Sequence, residues 1–142
     1  MSRAILKWLL LILAVYFLFV AIAHQLQLKI PGFYIYWNVP SFAYQDIIIS
    51  ALAFGWAAFF ALGAVLVSAG SVAPVALHVG AGLVAWASLV RANMTGELRV
   101  FVDDFTRPYW IQVGALGFYL ALLTAFYILA LRERQVAAGT EE

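Results

Sequence analysis

The sequence predicts an all-α integral membrane fold, a four-transmembrane-helix bundle with two longer aromatic-rich loops on one face. Three observations predict it. Between Asp46 and Arg91 stand 44 consecutive residues without a formal charge, broken in the middle by Ser68-Ala69-Gly70-Ser71. As one helix that run would be about 66 Å long, roughly twice the hydrocarbon core of a bilayer, so it reads as two crossings joined by a tight turn. Similar uncharged stretches, Trp8 to Ala23 and Pro108 to Leu131, lie on either side. Finally, 66% of the 142 residues are hydrophobic and 11% are charged. Ordinary soluble domains carry roughly 45–50% apolar and 25% charged residues.

The helices are expected at about 5–24, 41–69, 72–91 and 108–131, which makes 1–131 a single transmembrane domain and 132–142 a short disordered tail. Arg3 and Lys7 before an apolar run, with Ala21-Ile22-Ala23 after it, also fit a cleavable signal. The run from Ile5 to Ala23 would be about 28 Å of helix, long enough to span, and favours a retained first helix. The loop after it contains Pro31-Gly32, suited to a type II turn, and then a β-favouring aromatic run. A short β-hairpin and an irregular loop on the membrane surface are the two alternatives there.

Ser41 is placed to cap the second helix, with Asp46 near its positive end, and Gly70 to stop it. Ser71 and Pro74 mark the start of the third helix, and Pro108 the start of the fourth. Small residues at spacings of three or four recur in three helices: Ala53, Ala57 and Ala61; Ala73, Ala76 and Gly80; Gly117, Ala121 and Ala125. Such stripes let membrane helices approach closely, so helices two to four are expected to pack tightly and the first more loosely.

Several function classes are excluded. A net charge of +1 without a basic cluster argues against nucleic acid. The lack of cysteine removes disulfides, thiolate metal sites and the paired cysteines of claudin-like four-helix proteins. No carboxylate lies in the first helix, where small multidrug exporters need one, and no Asp, Glu, Lys or Arg lies in the interior of any expected span, Lys7, Asp46 and Arg91 standing near helix ends. His78, about one turn into the third helix, could serve a proton relay or ligate a cofactor. The plainer reading is a neutral histidine hydrogen-bonded to a neighbouring helix. His24 and His78 sit near opposite membrane faces, roughly 20 Å apart, too far for one haem. No cofactor and no metal ion are expected.

The loops hold the remaining polar chemistry. Topology brings His24, Asp46, Arg99, Asp103, Asp104 and Arg107 to one face, and these, with Tyr36 and Trp37, are the candidate ligand-binding residues. Oxygen and nitrogen donors in such a set could hold a divalent ion or act as an acid–base pair. Against that, loop charges also neutralise one another without further purpose. The aromatics Phe33, Tyr34, Tyr36, Trp37, Phe42 and Tyr44, with Phe101, Phe105, Tyr109 and Trp110, form an interfacial belt or a cap over the bundle.

The expected function is non-enzymatic: an accessory or assembly subunit, or a homo-oligomer, using its aromatic outer loops for partner contact. The alternative is a small-molecule or lipid carrier with a pocket under the loop cap. Expected partners are the lipid bilayer and either other membrane subunits or further copies of the chain. Lys and Arg are balanced between the two faces, four to each. The terminal ones lie tight against helix ends, so both termini are expected to be cytoplasmic, in a bacterial inner (plasma) membrane.

Overall fold

The structure, a computed structural model, describes residues 1–33, 39–95 and 106–139. Its elements are α1 (Ser2–Gln25), α2 (Ala43–Ser68), a single 3₁₀ turn (Ala73–Val75), α3 (Ala76–Thr95) and α4 (Thr106–Gly139). All four helices are long and apolar enough to cross a membrane. They alternate in direction. Ser2 of α1 meets Glu133 of α4 at one end, and His24 of α1 meets Asp46 of α2 at the other. Large apolar side chains are exposed on every helix, Trp8, Leu52, Phe54, Leu77 and Phe118 among them. A soluble monomer rarely exposes contiguous apolar patches beyond a few hundred Å². That surface, with the composition, points to a membrane-embedded protein.

The same backbone device ends α1 and α2. Leu28 N–H bonds to Ala23 O at 2.8 Å and Gln27 N–H to His24 O at 3.1 Å; Ser71 N–H bonds to Leu66 O at 2.8 Å and Gly70 N–H to Val67 O at 3.1 Å. Each is a Schellman closure with its pivot residue in the left-handed region. Gly70 takes φ of 82° freely, whereas Gln27 takes φ of 54° at a steric cost. Ser41 is not the cap of α2. Phe42 occupies that position in an extended conformation, its N–H bonded to Gln45 Oε1 at 2.9 Å, while the Ser41 hydroxyl turns to Asp46.

α4 continues as helix past the expected end at Leu131 to Gly139. Arg132, Glu133, Arg134 and Gln135 are strong helix formers despite their polarity, and Ser2 Oγ donates to Glu133 Oε1 at 2.8 Å, tying this turn to α1. The disordered tail expected from residue 132 is therefore corrected as far as 139. The hairpin alternative falls partly on 34–38, outside the described residues.

The expected packing order is also corrected. The most extensive interface is α1 on α2; α1–α4 and α3–α4 follow, and α2 and α3 scarcely meet beyond their turn. The main core cluster includes Leu6, Leu10, Phe60, Val72, Val75 and Leu123 and extends to the turn between α2 and α3. A smaller cluster of Val20, Ala21, Ala23 and Ala53 sits toward the loop end, with Phe33 against it. Of the small-residue stripes, Ala53 and Ala57 are buried, whereas Ala73, Ala76, Gly80, Ala121 and Ala125 face outward.

Candidate functional site

At the loop end, α1 and α2 present a buried polar pair. His24 and Asp46 are 8% and 4% exposed, and His24 Nδ1 lies 2.9 Å from Asp46 Oδ1. An ionised carboxylate only accepts, so the Nδ1 hydrogen is donated to Asp46. Helix direction favours each partner: His24 stands in the last turn of α1 and Asp46 in the first turn of α2, where a cationic and an anionic group respectively meet the complementary dipole end. Ser41 Oγ donates to Asp46, 3.0 Å from Oδ1 and 3.1 Å from Oδ2. It accepts in turn from Lys29 Nζ at 2.6 Å. Below this chain of bonds, Ser50 Oγ donates to Ala21 O at 2.8 Å and stitches the same two helices again.

The network's chemistry is that of a clamp. A serine nucleophile needs a base to take its proton. The Ser41 hydrogen goes to a carboxylate already engaged by His24, and the Lys29 ammonium is a donor without a lone pair. Among the described residues, no group of three His, Cys, Asp or Glu side chains gathers where it could hold a metal ion.

Two apolar recesses flank the α1–α4 contact. The first, about 290 Å³, lies under Gly32 and Phe33 and is walled by Ile12 and Tyr16 of α1 and Gln112, Ala115 and Tyr119 of α4. Phe33 folds back from the loop onto Tyr16 and Phe19, ring centroids 5.8 and 6.5 Å apart, and so forms its roof. Tyr119 spans the floor, its hydroxyl donating to Leu9 O at 2.6 Å. The second recess, about 300 Å³, occupies the gap between α2 and α3, lined by Trp56, Phe60, Gly82, Ala85, Ser88 and Leu89. Leu13 and Leu116 line both and form their shared wall.

His78 is hydrogen-bonded to a neighbouring helix. Its ring stacks on Phe59 with centroids 4.0 Å apart, and Nε2 donates to Phe59 O at 2.9 Å. Gly63 makes room for it, since a Cβ there would stand 2.8 Å from His78 Cδ2.

Of the sequence-derived site residues, His24 and Asp46 are brought into direct contact. Arg107 falls in the first turn of α4, and Tyr36, Trp37, Arg99, Asp103 and Asp104 lie outside the described residues. Sequence reasoning missed Lys29 and Ser41 as partners of Asp46, and Tyr16, Gln112 and Tyr119 as recess walls. Gln112 carried a usable signal, because a lone amide inside an apolar span is costly unless something uses it. No family model, curated protein or solved structure matches the chain.

Proposed function

We propose that the chain is a non-enzymatic membrane protein of a single four-helix domain that holds the apolar chain of a lipid beneath its first loop. The recess under Gly32 and Phe33 carries this reading. Its volume of about 290 Å³ stands at the small end of ligand pockets, roughly 300–1,000 Å³, and is far too narrow for another helix about 10 Å across. In a bilayer the apolar molecules at hand are lipids, and an unfilled apolar space forfeits packing contacts. Among the described residues at the loop end, His24, Lys29, Ser41 and Asp46 are spent on one another, which supports a structural use for them. On this reading both termini face the cytoplasm, and the recess lies in the half of the inner membrane away from it.

Native mass spectrometry of the detergent-extracted protein tests the proposal. The wild type is expected to carry one lipid-sized adduct, and Ala115→Trp, which fills the recess, to lose it. An empty wild type, or an adduct indifferent to Ala115→Trp, counts against the reading.

A second reading, an assembly subunit or homo-oligomer, is favoured by the outward stripe of Gly114, Ala121 and Ala125 on α4, which no part of the described chain covers. The same spectrum would then show bound subunits or oligomers. Ala121→Leu would dissociate them if the stripe is used, and Tyr36→Ala with Trp37→Ala would do so if the loop aromatics are.

A further inference from the structure

The end opposite the recess and the polar clamp holds a differently made site. Arg3 and Lys7 are four residues apart on α1 and therefore share a face. Ser2 and Leu6, one position before each, are buried; Arg3 and Lys7 instead overhang the turn between α2 and α3. With Ala4, Val67, Ser68 and Gly70 they line a recess of about 340 Å³. Both cations are half-buried, and neither makes an ion pair or hydrogen bond with a described residue. Glu133, the described carboxylate at this end, is engaged by Ser2. Arg132 and Arg134, on the same end, are exposed on α4 and do not line this recess.

Cations at the end of a first span ordinarily report topology, their stems snorkelling to water. Two features set Arg3 and Lys7 apart. They converge on one concavity, and Ser68, whose hydroxyl donates to Ala64 O at 2.9 Å, lines the same concavity. A guanidinium and an ammonium around one space form a donor set for a tetrahedral oxyanion, which the Ser68 hydroxyl would join only by turning away from Ala64 O. The span's end is where lipid headgroups lie.

We propose that this recess binds a phosphate group, the chemistry shared by an anionic phospholipid headgroup and free inorganic phosphate. This goes beyond the lipid-chain reading above and rests on different residues.

The test titrates full-length protein in mild detergent with phosphatidylglycerol or with a phosphate-free galactolipid of the same acyl chains, reading bound lipid by native mass spectrometry. Preferential retention of one phosphatidylglycerol is expected. Arg3→Gln with Lys7→Gln should weaken it by about tenfold or more, the worth of one charge-assisted hydrogen bond. Arg132→Gln with Arg134→Gln, which removes the same charge from the same end, should leave it unchanged. Arg3→Lys with Lys7→Arg should retain it. Circular dichroism checks that every variant keeps its helix content. Millimolar inorganic phosphate that displaces the lipid identifies the free anion as a sufficient ligand; phosphate without effect identifies the lipid headgroup as the source. Equal retention of the two lipids overturns the proposal, as does equal loss in both glutamine double variants.

Discussion

The α1–α2 and α2–α3 pairs differ in a way their connections do not suggest. A long loop joins the first pair and a tight turn the second, yet the first packs along its length and the second parts soon after the turn. Along α1–α2, Ala21 and Ala23 cluster with Ala53, Phe17 stacks on Trp56 and Phe60 at 5.9 and 5.7 Å, and the His24–Asp46 and Ser50–Ala21 bonds close the loop end. Between α2 and α3, Gly63 and His78 fit together near the turn. Farther on, Trp86 of α3 donates to Val113 O of α4 at 2.9 Å, and its ring lies where a Gly117 Cβ would come within 2.8 Å. α3 thus leans toward α4 and leaves the second recess behind it. In lipid no hydrophobic drive closes such a gap, so specific stacking and hydrogen bonds decide which helices meet.

Six variants would break or sharpen that contrast, each read as a shift in detergent-titrated unfolding followed by circular dichroism. Phe60→Ala should cost about 3 kcal/mol, the low end for a buried phenylalanine because lipid supplies less transfer free energy than water. Leu89→Ala, on the gap's far wall, should cost much less; equal losses would mean that the gap is packed. Asp46→Ala should cost about 2 kcal/mol by stripping His24 and Ser41 of a charged acceptor. Replacing His24 and Asp46 together by leucine should cost less than that single change, since no polar group is left behind. Gly63→Ala should cost about 1.5 kcal/mol through overpacking against His78; no loss would show that α2 and α3 are free of each other even beside their turn. Ser50→Ala should cost only about 0.6 kcal/mol, a typical interhelical bond in membranes. A loss as large as that of Asp46→Ala would make Ser50 a main tie between α1 and α2.

The four spans were legible because an uncharged, apolar run of helical length has little use outside a bilayer. Gly70 and Pro74 placed the tight turn closely, since backbone geometry there is local. The continuation of α4 was not legible, because the charges of Arg132 and Arg134 mark the edge of the apolar run without ending the helix. The choice of helix neighbours was hidden for a different reason. Ala and Gly stripes occur on three helices alike, and the deciding groups, Phe17 against Phe60 and Trp86 against Gly117, are paired only in space. His24 and Asp46 could be assigned to one face from topology, but their contact depends on how the loop between them closes. His78 was legible in kind, a polar ring hydrogen-bonded to a neighbouring helix through one of its nitrogens, though not in partner.

The turn between α2 and α3 has a mechanical consequence. Val72 and Val75 are fully buried beside it, so the turn is pinned while the far end of α3 is held on the α2 side by little. α3, with 20 residues, is a lever arm of about 30 Å, and a tilt of about 6° at its pinned end would carry its tip about 3 Å. Small rearrangements near Gly70, on the Arg3–Lys7 side, would thereby be amplified at the opposite face, provided that α4, bonded to α3 through Trp86 and Val113 O, moves with it.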